Sequence, residues 1–479
     1  MAKYADLLII THESVGEKMA GPGIRYWEIS RALGSQGVKV TLGTPLPSTR
    51  TAPGVEVRQF IWEDAQTLED LIANHQVVLS NGPVLARVVH VLGHPIEKPT
   101  IVDIYYSPEI EQMMLNLTMN REISVLDAAA LDDLHAYLRQ GDLFICATQK
   151  QYDFWSGALL AVGRLNSRTV GKEYTIDHFL RIVPMGLPEH PPVPGNRVLK
   201  GIIPGIGEED KVIFWGGGIW DWTDPITLLK AFKIVHQDRE NIRLVFGTLH
   251  HYEKKIVPHM SVADRMLDYI NREGWRDRYV FFLDWIPYDQ RGSYLLEVDI
   301  GVSLTLDTIE NRYAARARLM DYLWTGLPCV ISAGDEIAEI LHRSGLAKIV
   351  SPGDVVGVTQ ALLSILEISQ NENRTQLHHS PLIHQLSWTA VVKPILEFLE
   401  SPALAADAVP ARAVLRNQIP LRKAWEELRG ENIALRHQLE MFQQRRSTRL
   451  INFINRLIGR TGGIELIITL TLMLFQKFV

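Results

Sequence analysis

The strongest constraint on the fold is an alternation of short apolar segments with longer helical ones, which occurs twice along the chain. In the first series, helical stretches separate these apolar segments: DLLIITHE, VKVTLGTP, QVVLSNGP, TIVDIYY and LFICATQ. Short, continuous apolar runs bounded by turn residues are typical of strands that are buried on both faces. Strands that alternate with helices predict a parallel sheet covered by helices on both sides.

A proline-rich segment separates the two series. Six prolines lie between Pro184 and Pro204, and such irregular chain is typical of an interdomain linker. The second series contains these segments: KVIFWGGG, IRLVFG, YVFFLDW, VDIGVSL and LPCVISAG. The pattern predicts an α/β chain with two doubly wound, Rossmann-like domains that face a cleft. They extend over 1–190 and 191–400, and SWTAVVKPILEFLE is expected as a closing helix of the second.

The sequence changes character after Ser401, where a helical C-terminal extension is predicted. Residues 401–420 are rich in alanine and predict a loose connector. Apolar side chains at alternating steps of four and three then predict a short coiled coil over 421–446. Such a coil would form a homodimer through 421–442, and a helix packed on the body of the same chain is the alternative.

Residues 447–479 predict a tail that associates with a membrane. The stretch RRSTRLINFINRLIGR contains five arginines and no acid, and its apolar residues at helical spacing suit an anionic bilayer surface. The final apolar run is shorter than the roughly 20 residues that cross a bilayer. We therefore expect peripheral attachment to a membrane surface through 445–479, and a buried terminal helix in an oligomer is the alternative.

Charge is distributed unevenly. The chain has 49 Lys and Arg against 55 Asp and Glu, a net charge of −6. Residues 402–479 contain 12 basic and 6 acidic residues, a net +6, which leaves −12 on the preceding 401 residues. An acidic body argues against a nucleic-acid partner. The N-terminal apolar run, Leu7 to Ile10, is too short for a signal peptide, so we expect a cytoplasmic protein at the inner face of the membrane.

Several catalytic and metal-binding motifs do not occur in the sequence. It contains no HExxH, CxxC, GxxxxGK[ST], GxSxG or D-x-D pattern. We therefore predict no metal and no cofactor. In doubly wound sheets, ligands bind beyond the carboxyl ends of the strands, so the loops that follow the predicted strands hold the candidate residues.

The first candidates are three consecutive glycines, Gly216, Gly217 and Gly218, between the strand KVIFW and the helical segment PITLLKAF. Glycine lets the backbone approach a phosphate closely, and a helix N-terminus offers free N–H groups with partial positive charge. This arrangement predicts a site for a pyrophosphate, and a simple tight turn is the alternative. The spacing differs from GxGxxG, so it does not indicate a dinucleotide.

The second candidates lie in the segment DTIENRYAARARLMDYLWTGLP. Asp321 can accept hydrogen bonds from ribose hydroxyls, and Arg316 and Arg318 can donate hydrogen bonds to a diphosphate. Glu310 lies just upstream. A charged, solvated helix face is the alternative interpretation of each residue.

The third candidates lie in the first domain, in HESVGEKMAGPGIRYW, directly after the first strand. This loop contains Gly21 and Gly23, together with His12 and Lys18. It faces the cleft if the two sheets oppose each other, and would then form the acceptor side of the site. A structural role is the alternative for His12.

Together these stretches resemble the retaining glycosyltransferases of family 4, which have the GT-B fold. The resemblance extends over roughly residues 6–400 and is strongest to a bacterial subgroup in these motifs: GEKMAGPGIRYWEI, VPMGL, GGGIWDWTDP and RARLMDYLWTGLP. It implies that Gly21 and Gly23 match the loop contacts of the first domain, and that Gly216–Gly218 match the loop on the donor side.

The sequence departs from this family at two acidic positions. The family has two acids separated by seven residues, of which the second holds the nucleotide ribose and matches Asp321, with Asp in place of Glu. The first falls on Tyr313, and Glu310, three residues earlier, is the nearest acid. The resemblance therefore implies that Glu310 either replaces the first acid or has another role.

The function implied by the resemblance is retaining, metal-independent transfer of a sugar from a nucleotide-diphosphate sugar to a glycan or lipid-linked acceptor. The product would be a cell-surface polysaccharide or a lipid-linked oligosaccharide. Glu310, Arg316 and Arg318 are the expected catalytic residues, because arginines and backbone N–H groups stabilise the charge of a leaving diphosphate. A sugar-nucleotide epimerase of GT-B fold and a catalytically degenerate scaffold protein are the alternatives.

Overall fold

The structure of the chain is a computed structural model, which forms two compact units, Met1–Arg416 and Asn417–Val479. It describes these residues: 3–118, 125–172, 175–249, 259–367 and 380–422, with single helical positions at 427, 431, 434, 435, 438 and 441. The predicted tail lies outside the described residues, as does most of the predicted coiled coil, so both stay predictions. Among the described helices, none is long and apolar enough to cross a membrane.

The described residues of the first domain form seven strands and six helices. The strands are β1 (Leu7–Ile10), β2 (Val40–Thr44), β3 (Val55–Gln59), β4 (Val77–Asn81), β5 (Thr100–Asp103), β6 (Leu143–Cys146) and β7 (Leu180–Ile182). The helices are α1 (Gly21–Ser35), α2 (Ala65–Ala73), α3 (Gly82–Leu92), α4 (Pro108–Thr118), α5 (Val125–Gln140) and α6 (Gln149–Ala161). The strands form one parallel sheet in the order β3-β2-β1-β4-β5-β6-β7. Strands β1 and β6 are buried at every position, as their continuous apolar runs require.

The second domain repeats this plan. Its strands are β8 (Lys211–Trp215), β9 (Ile242–Phe246), β10 (Val280–Phe282), β11 (Ile300–Ser303), β12 (Cys329–Ser332) and β13 (Ala347–Val350). Its helices are α7 (Pro225–Gln237), α8 (Ser261–Arg272), α9 (Arg291–Leu296), α10 (Ile309–Tyr313), α11 (Ala317–Thr325), α12 (Glu336–Arg343) and α13 (Val355–Leu366), with a 3₁₀ turn at Tyr288–Gln290. The parallel sheet has the order β10-β9-β8-β11-β12-β13. Both orders reverse next to the first strand of the sheet, which is the doubly wound pattern, so the predicted α/β class is confirmed.

The chain then returns to the first domain through three short helices. These are α14 (Pro381–Gln385), α15 (Trp388–Val391) and α16 (Lys393–Glu400). The indole of Trp388 packs so closely on Gly186 that a Cβ there would lie 2.4 Å from the ring. The backbone N–H of Ala5 donates to the carbonyl of Leu399 (2.9 Å). The closing helix expected at the end of 191–400 therefore packs on the first domain.

The expectation of a loose connector over 401–420 needs correction, because residues 408–416 are helical and packed. The buried side of this helical segment includes small and apolar residues: Ala408, Ala411 and Leu415. Two ion pairs with the first domain flank this side. Arg164 binds Asp407 (Nη2–Oδ1 2.9 Å) and Arg412 binds Asp142, and all four side chains are buried. The alanines thus form a helix face small enough for close packing.

The two domains contact each other on both sides of the cleft. On one side, Glu336 at the start of α12 accepts hydrogen bonds from the backbone N–H groups of Gln149 (3.1 Å) and Lys150 (3.0 Å). A carboxylate is favourable at the N-terminus of α6. On the other side, the hydroxyl of Tyr288 donates to Oε1 of Glu28 in α1 (2.7 Å). These contacts hold the carboxyl ends of the two sheets face to face.

Candidate functional site

A cavity of about 600 Å³ lies between the carboxyl ends of the two sheets. Its walls come from the loops after β1, β5, β8 and β10, together with residues of α4, α10 and α11. This volume is typical of small-molecule sites. Nine of the candidates named from the sequence line it: His12, Gly21, Gly216, Gly217, Gly218, Glu310, Arg316, Arg318 and Asp321.

The glycine loop after β8 is held tightly against α11. The backbone N–H of Gly216 donates to the hydroxyl of Tyr322 (3.0 Å), which in turn donates to the carbonyl of Val302 in β11 (3.1 Å). Gly217 has φ +81°, and a Cβ there would lie 3.0 Å from the guanidinium of Arg318. Glycine is therefore required at this position, both for the left-handed backbone and for the close approach of Arg318.

The helix that follows the glycine loop does not supply the phosphate site that the sequence suggested. Helix α7 begins at Pro225, seven residues after Gly218. Its first turn is capped by Asp224, whose Oδ1 accepts a hydrogen bond from the backbone N–H of Thr227 (3.0 Å). Because the capping carboxylate is negative and proline has no N–H, this end of α7 is unsuited to bind an anion.

The helix N-terminus that reaches the cavity is that of α11. The residue before this helix, Arg316, makes no side-chain capping bond. Ala317 and Arg318, the first two helical residues, line the cavity. The first N–H groups of a helix have no partner within it, so α11 offers free N–H groups and a partial positive charge to an anion.

The two candidate arginines differ in their partners. Arg316 binds Oε2 of Glu310 through Nη2 (2.6 Å) and Oδ2 of Asp335 through Nη1 (3.0 Å), and all three side chains are at most 10% exposed. Two carboxylates thus neutralise this guanidinium. Arg316 is therefore better placed to orient Glu310 than to bind a diphosphate.

Arg318 is a cation without a counter-ion in the part of the chain that the structure describes. Its Nη2 donates to the carbonyl of Gly218 (3.3 Å), and no ion pair with a described carboxylate is formed. Burial, together with the neighbouring charge of Arg316, lowers the pKa of Arg318 to about 10. The carboxylates of Glu310 and Asp335 raise this pKa without forming an ion pair with Arg318, so the guanidinium beside the glycine loop remains available to an anionic ligand.

Asp321 lies three residues after Arg318, on the same face of α11. Its Oδ1 accepts a hydrogen bond from Nε of Arg291 (3.2 Å). Burial raises the pKa of Asp321, whereas the charge of Arg291 lowers it. Its other oxygen makes no hydrogen bond with the residues that the structure describes, so it is available to a ribose hydroxyl.

Tyr313, on which the first acid expected from the resemblance falls, and Glu310, the nearest acid, both line the cavity. Burial raises the pKa of Glu310, whereas Arg316 lowers it. Arg316 occupies only Oε2, and Oε1 has no hydrogen-bond partner among the described residues. The ring of Tyr313 packs against Phe154 of the first domain, with 4.8 Å between ring centroids. Glu310 is thus the acid that this stretch presents to the cavity.

The candidates of the first domain divide into two pairs. His12 and Gly21 line the cavity; Nε2 of His12 lies 3.4 Å from Oε1 of Glu13. Lys18 is exposed and is not part of the cavity wall. Gly23 is buried in α1, where a Cβ would lie 2.8 Å from the carbonyl oxygen of Ser14, so it permits the close packing of the loop.

Sequence reasoning missed several lining residues. Tyr105 and Tyr106 lie in the loop after β5, and Glu111 lies on α4. Trp220 and Trp222 lie after the glycine loop and stack on each other, with 5.1 Å between ring centroids. The two tyrosines are the last residues of the predicted strand segment TIVDIYY, and this position is a sequence feature that indicates them. Nothing local indicates Glu111.

A buried ion pair fixes the end of β5 where these tyrosines begin. Nε of Arg25 in α1 lies 2.6 Å from Oδ2 of Asp103, and both side chains are fully buried. The guanidinium of Arg25 also lies 4.8 Å from the centroid of the Tyr105 ring. The pair thus orients one wall of the cavity.

No group of three or more His, Cys, Asp or Glu side chains within the described ranges is placed to hold a metal ion. Glycine backbone, the start of α11 and Arg318 are the parts of the cavity suited to an anionic ligand. The arrangement can therefore bind a diphosphate at one end of α11 and, one turn further along, a hydroxylated group at Asp321.

Comparisons with known proteins bear on the fold. No protein-family model and no curated protein sequence matches the chain. It is similar in structure to sucrose-phosphate synthase from Thermosynechococcus elongatus (13% identity, 82% of this chain and 98% of that chain, TM-score 0.54). It is also similar to HepE from Anabaena in complex with UDP and glucose (12% identity, 83% of this chain and 100% of that chain, TM-score 0.57). A third similar structure is the UDP-forming trehalose-phosphate synthase from Burkholderia vietnamiensis (11%, 83% and 99%, 0.54). The chain therefore has the GT-B fold of these glycosyltransferases.

Proposed function

We propose that the chain is a retaining glycosyltransferase that moves a sugar from a nucleoside diphosphate sugar to a hydroxyl group of a glycan or lipid-linked acceptor. The proposal rests on one observation: Arg318, a half-buried cation that forms no ion pair with a described carboxylate, lies against Gly217 and Gly218 at the uncapped start of α11. An enclosed positive site of this kind, between two Rossmann-like sheets, is suited to a diphosphate.

The donor would lie along α11. Its diphosphate would bind Arg318, the backbone of Gly216–Gly218 and the first N–H groups of the helix, and its ribose hydroxyls would donate to Asp321. The spacing supports this order, because residues three apart on a helix are neighbours on one face. HepE, one of the similar structures, holds UDP and glucose, which makes UDP-glucose the first donor to try.

Catalysis would come from charge stabilisation in an enclosed site. When the bond between the anomeric carbon and the β-phosphate oxygen breaks, negative charge accumulates on the leaving diphosphate. Arg318 and the N–H groups of α11 are preorganised to stabilise this charge, which is worth more in a site that excludes water than in solution. Glu310, oriented by Arg316, would accept hydrogen bonds from the hydroxyls of the transferred sugar.

The acceptor would enter from the first domain, whose cavity wall includes His12, Gly21, Tyr105 and Tyr106. The basic, amphipathic sequence of 445–479 supports an acceptor carried by a membrane lipid at the cytoplasmic face. Attachment of this tail to the membrane and a homodimer through 421–442 are parts of the same proposal.

The proposal is tested by incubating the full chain with a panel of UDP-, GDP-, ADP- and dTDP-sugars and following products by NMR. We expect slow release of the nucleoside diphosphate from one donor, faster release when an acceptor is added, and a new glycosidic bond with the donor's anomeric configuration. An altered sugar still attached to its nucleotide would identify an epimerase instead. Absence of binding to every nucleotide would identify a scaffold protein.

A further inference from the structure

A second carboxyl group, that of Glu111, shares the cavity with Glu310. Glu111 lies on α4 of the first domain and Glu310 on α10 of the second, and these two helices pack against each other. Both residues line the cavity. The two domains thus each place one carboxyl group at the point where donor and acceptor sides meet.

The carboxyl group of Glu111 has no hydrogen-bond partner in the part of the chain that the structure describes. Its neighbour on α4, Glu109, is bound internally: it accepts hydrogen bonds from Ser107 Oγ (2.9 Å) and from the hydroxyl of Tyr137 (3.0 Å). Glu109 is also absent from the cavity wall, whereas Glu111 is part of it. The contrast indicates that Glu111 is available to a ligand and that Glu109 has a structural role.

Charged groups on both domains act on Glu111. Burial and the carboxylate of Glu310 raise its pKa to about 8, Arg316 lowers it, and Glu109 on the same helix raises it. Burial raises the pKa of the facing phenol of Tyr106 well above its usual range, and the charge of Glu111 adds to this rise. Glu111 is therefore mostly protonated at pH 7 and mostly ionised at pH 9.

We propose that Glu111 and Glu310 flank the transferred sugar and restrict the donor to neutral sugars, with Glu111 as a specificity-determining residue. This inference rests on the proposed function. Carboxyl groups form hydrogen bonds with the hydroxyls of a neutral hexose, whereas the carboxylate of a uronic acid is repelled by a like charge. Ionisation of Glu111 adds one such charge, so rejection of a uronic acid increases with pH.

The experiment measures binding of UDP-glucose and UDP-glucuronate to the full chain by calorimetry at pH 7 and pH 9. Neither ligand's diphosphate diester changes its ionisation over this range, so the ratio of their dissociation constants reports on protein groups. In the wild type we expect the dissociation constant for UDP-glucuronate, divided by that for UDP-glucose, to increase about tenfold from pH 7 to pH 9. In Glu109→Gln, the matched control on the same helix, we expect the ratio still to increase with pH, because Glu111 keeps its carboxyl group; loss of the Glu109 charge lowers the pKa of Glu111 and shifts the increase to lower pH.

Replacing Glu111, the group that titrates, should remove the pH dependence of this ratio of dissociation constants. In Glu111→Gln we expect the ratio to change less than twofold between the two pH values, with the affinity for UDP itself unaltered. In Glu111→Asp, which keeps the carboxyl group, the increase should return. Thermal unfolding of each variant checks that its fold is intact, and UDP affinity provides the same check on the site.

The inference is overturned if the wild-type ratio does not increase with pH, or if Glu111→Gln shows the same increase as the wild type. Preferred binding of UDP-glucuronate by the wild type would also overturn it. In those cases UDP still binds, so the proposed function stands. Failure of the wild type to bind UDP, by contrast, would refute the proposed uridine donor and this inference together.

Discussion

Replacing Arg318 by glutamine should weaken nucleotide binding without weakening the ligand-free fold. Burial lowers the pKa of Arg318 from its usual value to about 10, so the unfolded chain binds this proton more tightly than the folded protein does. The charge therefore destabilises the fold at any pH below about 10, and stability returns as the pH rises above 10 towards the usual pKa of an arginine. A pKa difference of this size corresponds to roughly 3 kcal/mol as an upper bound.

A bound diphosphate offsets the destabilising effect of the Arg318 charge on the fold. Hydrogen bonds to charged groups contribute about 1.5–3 kcal/mol each, which corresponds to roughly 10- to 150-fold in a dissociation constant. We expect Arg318→Gln to raise the Kd for UDP by a factor in this range. The midpoint of thermal unfolding of the ligand-free variant should equal or exceed that of the wild type.

Two other arginines provide the comparison. Arg316→Gln leaves Glu310 and Asp335 buried without their cation, and breaking buried ion pairs costs about 3–5 kcal/mol, so this variant should unfold at a clearly lower temperature. Arg312 is exposed on α10, and Arg312→Gln should change neither property. Calorimetric titration with UDP and scanning calorimetry measure both quantities. Wild-type affinity for UDP in Arg318→Gln would refute the reasoning, as would a loss of stability as large as that of Arg316→Gln.

Three further predictions concern the backbone, the ribose and the C-terminal extension. Gly217→Ala places a Cβ 3.0 Å from the Arg318 guanidinium, on a backbone with φ +81°. We expect this variant to lose about 1–2 kcal/mol of unfolding free energy and to bind UDP more weakly. A Cβ at Gly21 would meet open space, so Gly21→Ala should change the unfolding free energy by less than about 0.5 kcal/mol. Asp321→Ala should weaken UDP binding about tenfold and leave inorganic pyrophosphate binding undiminished, so an equal loss for both ligands would count against a ribose contact. Truncation after Arg416 should release the chain from membranes and preserve the midpoint of its thermal unfolding. Truncation after Ser401 should lower that midpoint, because the buried ion pairs with Asp407 and Arg412 are lost. Sedimentation of the truncated chain with membranes would contradict the predicted tail.

The fold was predictable because strands buried on both faces leave continuous apolar runs, and β1 and β6 consist of such runs. The return of the chain to the first domain was not predictable from the sequence. The indole of Trp388 covers Gly186 from 202 positions further along the chain, and no local pattern encodes a contact at that separation.

The candidate site was predictable where it depends on loops that follow strands. Gly217, Arg318 and Asp321 all line the cavity. The sequence also contained the feature that excludes the start of α7, since Asp224 followed by Pro225 is typical of a capped helix N-terminus. The position of Glu111 near Glu310, by contrast, depends on how two domains meet.

The central claim is that the positive end of α11 and the glycine loop bind the diphosphate of a nucleotide sugar. A crystal structure of the full chain with UDP tests it most directly. We expect phosphate oxygens within hydrogen-bonding distance of the Arg318 guanidinium and of the backbone N–H groups at Gly217 and Ala317, with the ribose at Asp321. UDP bound elsewhere on the chain, or bound here with Arg318 making no contact to it, would contradict the account.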